Sequence, residues 1–160
     1  RQMATNIGTG PQDIPLNQFL GEMAFMDVNP RVVMLAQKNT GATFNSTTVT
    51  KTQFPNTVVD THIGLSNTNS RYTIPFSGDY MVMFNLNLLA SSNNSRVEVR
   101  VNENLYSNYQ ISHTNHPRLN FHFSGIIPNM VAGDYIEICG RTNTGSVTVD
   151  NAGNWMIYKM

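Results

Sequence analysis

In Arg96-Val97-Glu98-Val99-Arg100-Val101, charge and valine alternate without a break. Successive side chains of an extended chain point to opposite faces, so this period of two reads as a half-buried strand. Tyr80 to Leu88 carries the same rhythm, with Tyr80, Val82, Phe84, Leu86 and Leu88 on one face and Met81, Met83, Asn85 and Asn87 on the other. Leu119, Phe121 and Phe123 turn inward while Asn120 and His122 turn outward. Tyr135 to Arg141 and Trp155 to Lys159 complete the strong set, and Val32 to Gln37, Thr47 to Thr52 and Tyr72 to Ile74 are weaker candidates. Between them stand Ser77-Gly78-Asp79, Asn102-Glu103-Asn104, Ala132-Gly133-Asp134, Asn143-Thr144-Gly145 and Asp150-Asn151-Ala152-Gly153. These residues tolerate positive φ or cap a turn with their own side chains. Many short strands at this spacing, with no long helix and no internal repeat, predict an all-β sandwich or jelly roll.

A chain of 160 residues fits one domain with a short appended segment, and folding at that size buries roughly 70% of the unfolded surface without metal or disulfide staples. Only 12% of residues are charged, against a usual share of about 25%. Solubility therefore rests on Asn, Thr and Ser, which favour strands and turns over helix interiors. Ten basic and ten acidic residues cancel. Binding nucleic acid needs a cationic field that displaces counterions, and the nearest approach to one, Arg96 and Arg100, has Glu98 between them; no nucleic-acid partner is expected. The single cysteine, Cys139, has no partner for an internal disulfide. No stretch nears the roughly 18 apolar residues of a membrane span, so no membrane insertion is expected. Arg1 in place of Met reads as a processed or partial chain.

Residues 1–28 differ from the rest. Ile7-Gly8-Thr9-Gly10-Pro11 and Ile14-Pro15 interrupt regular structure, and Leu16 to Met26 is short and apolar, fit either for a helical turn or two or for an extended course. We read this segment as a docking arm, with Leu16, Phe19, Leu20 and Phe25 as its anchors, and residues 29–160 as the domain proper.

Tyr72-Thr73-Ile74-Pro75-Phe76-Ser77-Gly78-Asp79-Tyr80-Met81-Val82 resembles the proline, glycine, tyrosine and apolar-strand signature of the complement-head and tumour necrosis factor superfamily. Arg96 to Tyr106, then Phe121 to Gly125 with Ala132 to Ile138, and finally Gly153 to Met160 are similar, in order, to later strands of that family. The resemblance implies a ten-strand antiparallel jelly roll, three copies of which pack around a threefold axis as a homotrimer. It also implies that the inner sheet holds the first strand, the Tyr80 strand, the strand after Gly133-Asp134 and the last strand. Their second face would then form the trimer interface through Met81, Met83, Tyr135, Cys139, Met156 and Tyr158, a set rich in Met and aromatics where a solvent face should be polar. The stretch from Ile14 to Phe25 resembles a phrase of virion structural and fibre proteins of marine bacteriophages. That likeness implies a virion location, with the arm docking onto other virion proteins.

Chemistry is harder to find. The carboxylates are scattered, Asp79, Asp134 and Asp150 each fall in a turn that capping explains, and Cys139 has no neighbouring activator. No catalytic residue and no cofactor is expected. His113, His116 and His122 lie close in sequence but have no carboxylate nearby in sequence to orient their rings, so no metal is expected either. Tyr106, Asn108, Tyr109, His113, His116 and Arg118 mix flat rings with hydrogen-bonding tips, the chemistry of a surface that recognises a host glycan or protein. The sequence thus predicts a non-enzymatic structural or adhesive part of a phage particle, such as a fibre, tail appendage or capsid decoration. The alternative is a cellular or secreted binding module of the same fold.

Overall fold

The structure is a computed structural model that describes residues 32–38, 41–89, 95–111 and 118–160; the expected arm, with Leu16, Phe19, Leu20 and Phe25, lies outside the described residues. In chain order the strands are β1 (Val33–Lys38), β2 (Ala42–Asn45), β3 (Thr50–Lys51), β4 (Asn56–Asp60), β5 (Leu65–Ser66), β6 (Arg71–Thr73), β7 (Gly78–Leu89), β8 (Ser95–Val101), β9 (Asn104–Ile111), β10 (Arg118–Met130), β11 (Tyr135–Thr142) and β12 (Ser146–Lys159). Two of them, β3 and β5, are two-residue bridges, and the other ten form the frame of the jelly roll.

Sheet A runs β10-β7-β12-β1-β4 with β2 also on β12, and sheet B runs β5-β6-β11-β8-β9 with β3 also on β11. All of the pairings are antiparallel. The core lies between the sheets and is filled by the apolar half of each alternation. Tyr80, Val82, Phe84, Leu86 and Leu88 of β7 face Val97 and Val99 of β8 and Ile136 and Ile138 of β11, all of them buried. Trp155 sits near the middle against Phe54, their ring centroids 5.4 Å apart. Side chains of this size each remove enough apolar surface from water to contribute about 1.5–3 kcal/mol.

One predicted turn behaves differently. Asp150-Asn151-Ala152-Gly153 does not reverse the chain; it is a bulge within β12, where Val149 pairs with Leu88 and Gly153 with Leu86. The extra residues let one strand take β2 as neighbour over Ser146–Val149 and β1 over Gly153–Tyr158. In β10 the residues after Ile127 form a second irregularity. Pro128 falls there, a place on an edge strand where no ladder hydrogen bond is lost.

The turn around Gly133 does behave as the sequence predicts. Gly133 has φ +96°, and the Asp134 carboxylate accepts hydrogen bonds from Val131 N and Asn102 Nδ2, both at 2.8 Å. Asn102 Oδ1 in turn accepts from Tyr135 N at 3.0 Å. These bonds hold the Asp134 carboxyl below its ordinary value and tie the β8–β9 turn to the β10–β11 turn.

The sheets approach closely where Gly140 of β11 meets Phe44 of β2: a Cβ at Gly140 would land within the Phe44 ring. Gly140→Ala should therefore destabilise the protein by about 1–3 kcal/mol through overpacking, read as a lower urea midpoint with unchanged slope. A neutral result would mean that Phe44 is free to move aside.

Candidate functional site

Sheet A turns its second face away from the core, and the strand register arranges that face in rows. One row crosses the sheet as Ile126, Met81, Tyr158 and Val33, and the next as Ser124, Met83, Met156, Leu35 and Val59. A third reads His122, Asn85, Asn154 and Gln37. The first two rows are apolar apart from Ser124 and the Tyr158 hydroxyl, the third is polar and, with His neutral, uncharged, and no Lys, Arg, Asp or Glu stands in any of them. Ile126 and Val59, at the two edges, are 46% and 42% exposed. A shallow depression lined by Leu35, Met83, Asn85, His122 and Met156 marks the junction of apolar and polar rows. A sheet face left to water normally carries charge, and one with this composition is suited to contact with protein.

Four residues of the expected trimer face, Met81, Met83, Met156 and Tyr158, lie together here. Tyr135 and Cys139 do not. They belong to β11, which is the centre of sheet B and not a strand of sheet A. The alternation within β11 put both on its non-core face correctly, but alternation says nothing about which sheet a strand joins; that is set by long-range pairing with β8 and β6.

The second face of sheet B is of opposite character. Glu98 of β8 is 1% exposed, in ion pairs with Arg96 Nε at 2.9 Å, Arg100 Nε at 2.8 Å and Arg141 Nε at 3.6 Å. Beside it Glu137 of β11, also 1% exposed, pairs with Lys51 of β3. Glu137 raises the Lys51 ammonium pKa and Glu98 raises that of the Arg100 guanidinium, each chiefly through its hydrogen bond. Arg71 of β6 lies over the Tyr135 ring, 4.3 Å from its centroid. The strand whose alternation reads most plainly in the sequence thus hides its one acid beneath the cations of its own and a neighbouring strand. Only the Lys and Arg side chains remain partly in water, between 20% and 42% exposed.

The expected recognition surface falls on the edge where β9 and β10, the last strands of the two sheets, run past each other. Tyr106 and Asn108 stand exposed on β9, and the Tyr106 hydroxyl donates to Ile126 O of β10 at 2.9 Å, fastening one sheet edge to the other. Asn108 pairs with Glu98 across the strands and so borders the charged face. Arg118, 69% exposed, opens β10 in sheet A, 4.0 Å from Asp150. Tyr109 lies in β9 opposite Val97, its side chain outside the description; His113 and His116 are outside the described residues. Among the described residues no group of three His, Cys, Asp or Glu is placed to hold a metal, and no helix is long and apolar enough to cross a membrane.

No protein-family description matches the chain, and no curated protein matches it in sequence. Solved structures do match in fold. The globular domain of zebrafish complement 1qA protein aligns with a TM-score of 0.65 at 9% identity, covering 82% of this chain and 98% of that one. Murine APRIL aligns at 0.64 and 12% identity, over 82% of this chain and all of its own. The PRD1 vertex protein aligns at 0.56 and 13%, over 81% and 96%. The chain has a C1q/TNF-like jelly-roll fold.

Cys139 lies in the middle of the charged face, buried. Burial, followed by the nearby Glu137 carboxylate, pushes its thiol pKa up to about 12. The thiolate is the reactive form, so native protein at pH 8 should resist iodoacetamide for hours and react promptly in denaturant, read by mass spectrometry. Fast alkylation of folded protein would show that the site opens.

Proposed function

We propose that this chain is a non-enzymatic head of a phage particle, assembling as a trimer through the second face of sheet A and turning sheet B outward. The observation that carries the reading is the pair of largely apolar rows crossing sheet A, with Met83 and Met156 side by side at their centre. Three copies packed face to edge around an axis would cover these rows, and the threefold arrangement implied by the family resemblance has that geometry. Residues 1–28 then serve as the arm that anchors the head to other virion proteins, while the outward surface meets the host. Three copies on one axis convert weak single contacts into avidity. The fold likeness to a vertex protein supports the particle setting.

A second reading has its own support. The complement 1qA and APRIL structures align with higher TM-scores than the vertex protein, which favours a cellular or secreted binding module equally well. The two readings share the trimer and differ in where the protein resides.

Met83→Glu places a charge in the centre of the proposed interface, and light scattering should show it as a folded monomer where the natural sequence gives a trimer; a monomeric natural sequence at micromolar concentration overturns the assembly. Deleting residues 1–28 should leave a soluble trimer that no longer enters particles. Normal incorporation of the shortened chain removes the virion reading in favour of the binding module.

A further inference from the structure

We infer that the second face of sheet B binds an acidic polysaccharide, through the guanidinium groups of Arg96, Arg100 and Arg141 with Lys51 and Arg71 at its margin. The whole chain is electrically neutral, yet its charge is not evenly spread. Lys51, Arg71, Arg96, Arg100 and Arg141, five of the ten basic residues, project from this one face. The buried carboxylates among them are Glu98 and Glu137, and Glu103 stands at the end of the face by Arg100 and Lys51, so the cations still outnumber the acids there.

The donors are in surplus as well. A carboxylate offers about four lone-pair sites and a guanidinium about five N–H donors. Glu98 therefore satisfies only a minority of the hydrogen-bonding capacity of the three arginines that reach it through Nε. Arg100 spends one more donor on Glu103 O. What Glu98 does achieve is orientation. Buried beneath the three side chains, it fixes where their guanidinium planes lie, and a pre-set fork loses less entropy on meeting an anion than a free one.

The chemistry of the face selects among polyanions. Nucleic acid favours a continuous run of cations along its backbone and aromatic faces on which bases stack. Here the cations form a compact cluster gathered over two buried carboxylates, not a run along a groove, and the Tyr135 ring is already covered by Arg71. A surface that sets guanidinium and ammonium groups beside the exposed amide of Asn108 instead fits a polymer in which carboxylate or sulfate groups alternate with hydroxyls. The arginines take the anions, and the amide of Asn108 stands at their border where a hydroxyl would meet it.

The inference does not depend on the trimer, because the charged face and the apolar rows lie on different sheets. Met83→Glu should reduce avidity for an immobilised polymer while keeping the affinity for a short oligomer, so failure of either proposal is separable from failure of the other.

Calorimetry with alginate and dextran sulfate oligosaccharides at low salt tests it, with neutral dextran and oligo-dT as comparisons. The full-length natural chain should bind at least one acidic oligosaccharide, weaken as salt rises, and ignore neutral dextran. Arg96→Gln with Arg141→Gln should lower affinity by about tenfold or more, whereas Lys159→Gln, on the other sheet, should leave it unchanged. Arg141→Gln alone, whose partner is 3.6 Å away, serves should the double variant fail to fold, and should give a smaller loss of the same sign. No binding to either acidic polymer, tighter binding to oligo-dT, or affinity indifferent to these arginines would each overturn it.

Discussion

Sheet A depends on hydrogen bonding along both edges of β12. On one side it pairs with β7 nearly from end to end, and on the other with β2 and then β1. The bulge at Asp150–Gly153 makes this double use feasible, because a strand of strict register could not step from one partner to the next while keeping its apolar residues inward. Val147 and Val149 before the bulge and Trp155 and Ile157 after it all reach the core. The position of Trp155 against Phe54, the rows on the second face and the place of β1 and β4 at the far side all follow from that pairing.

The sheet faces show how neutral overall charge conceals a division of labour. Sheet A carries rows of uncharged side chains on its second face, and sheet B collects half the cations around buried acids. Removing two carboxylates from water is costly unless each finds its partners. Glu98 has three arginines and Glu137 a lysine, so the strain of burial is met on the spot. The same arrangement leaves Cys139 enclosed between acids and chemically quiet.

Much of the strand pattern was legible in the sequence, because alternation in β7, β8 and the first half of β10 is a local property. Phe121 and Phe123 are buried and His122 is exposed as their spacing predicts. Partnership was not legible. Tyr135 and Cys139 were assigned to the wrong sheet since the pairing of β11 with β8 joins residues far apart in the chain. Asn56–Asp60 was overlooked altogether: as an edge strand with four exposed residues out of five it has no apolar face to announce it. The ion cluster was missed for a related reason. Charges alternating with valine look like a solvated face, and only the arrival of Arg141 and Lys51 from other strands covers Glu98 and Glu137.

The central place of β12 also bears on how the molecule comes into being. Val33 is partnered with Tyr158 and Phe44 with Val147, so the earliest strands wait for the latest. On a ribosome, β6, β8, β9 and β11 have their mutual partners as soon as residue 142 has emerged, while sheet A still lacks its centre. Closing such long loops is entropically costly and slow. In the interval the apolar side chains of β1 and β7 have only the half-built sandwich to cover them. A nascent chain of this design is therefore most exposed to mispairing with its neighbours just before synthesis of β12, and a chain broken off ahead of Ser146 would keep the ladders of sheet B but leave sheet A as two separate pairs, β7 with β10 and β1 with β4.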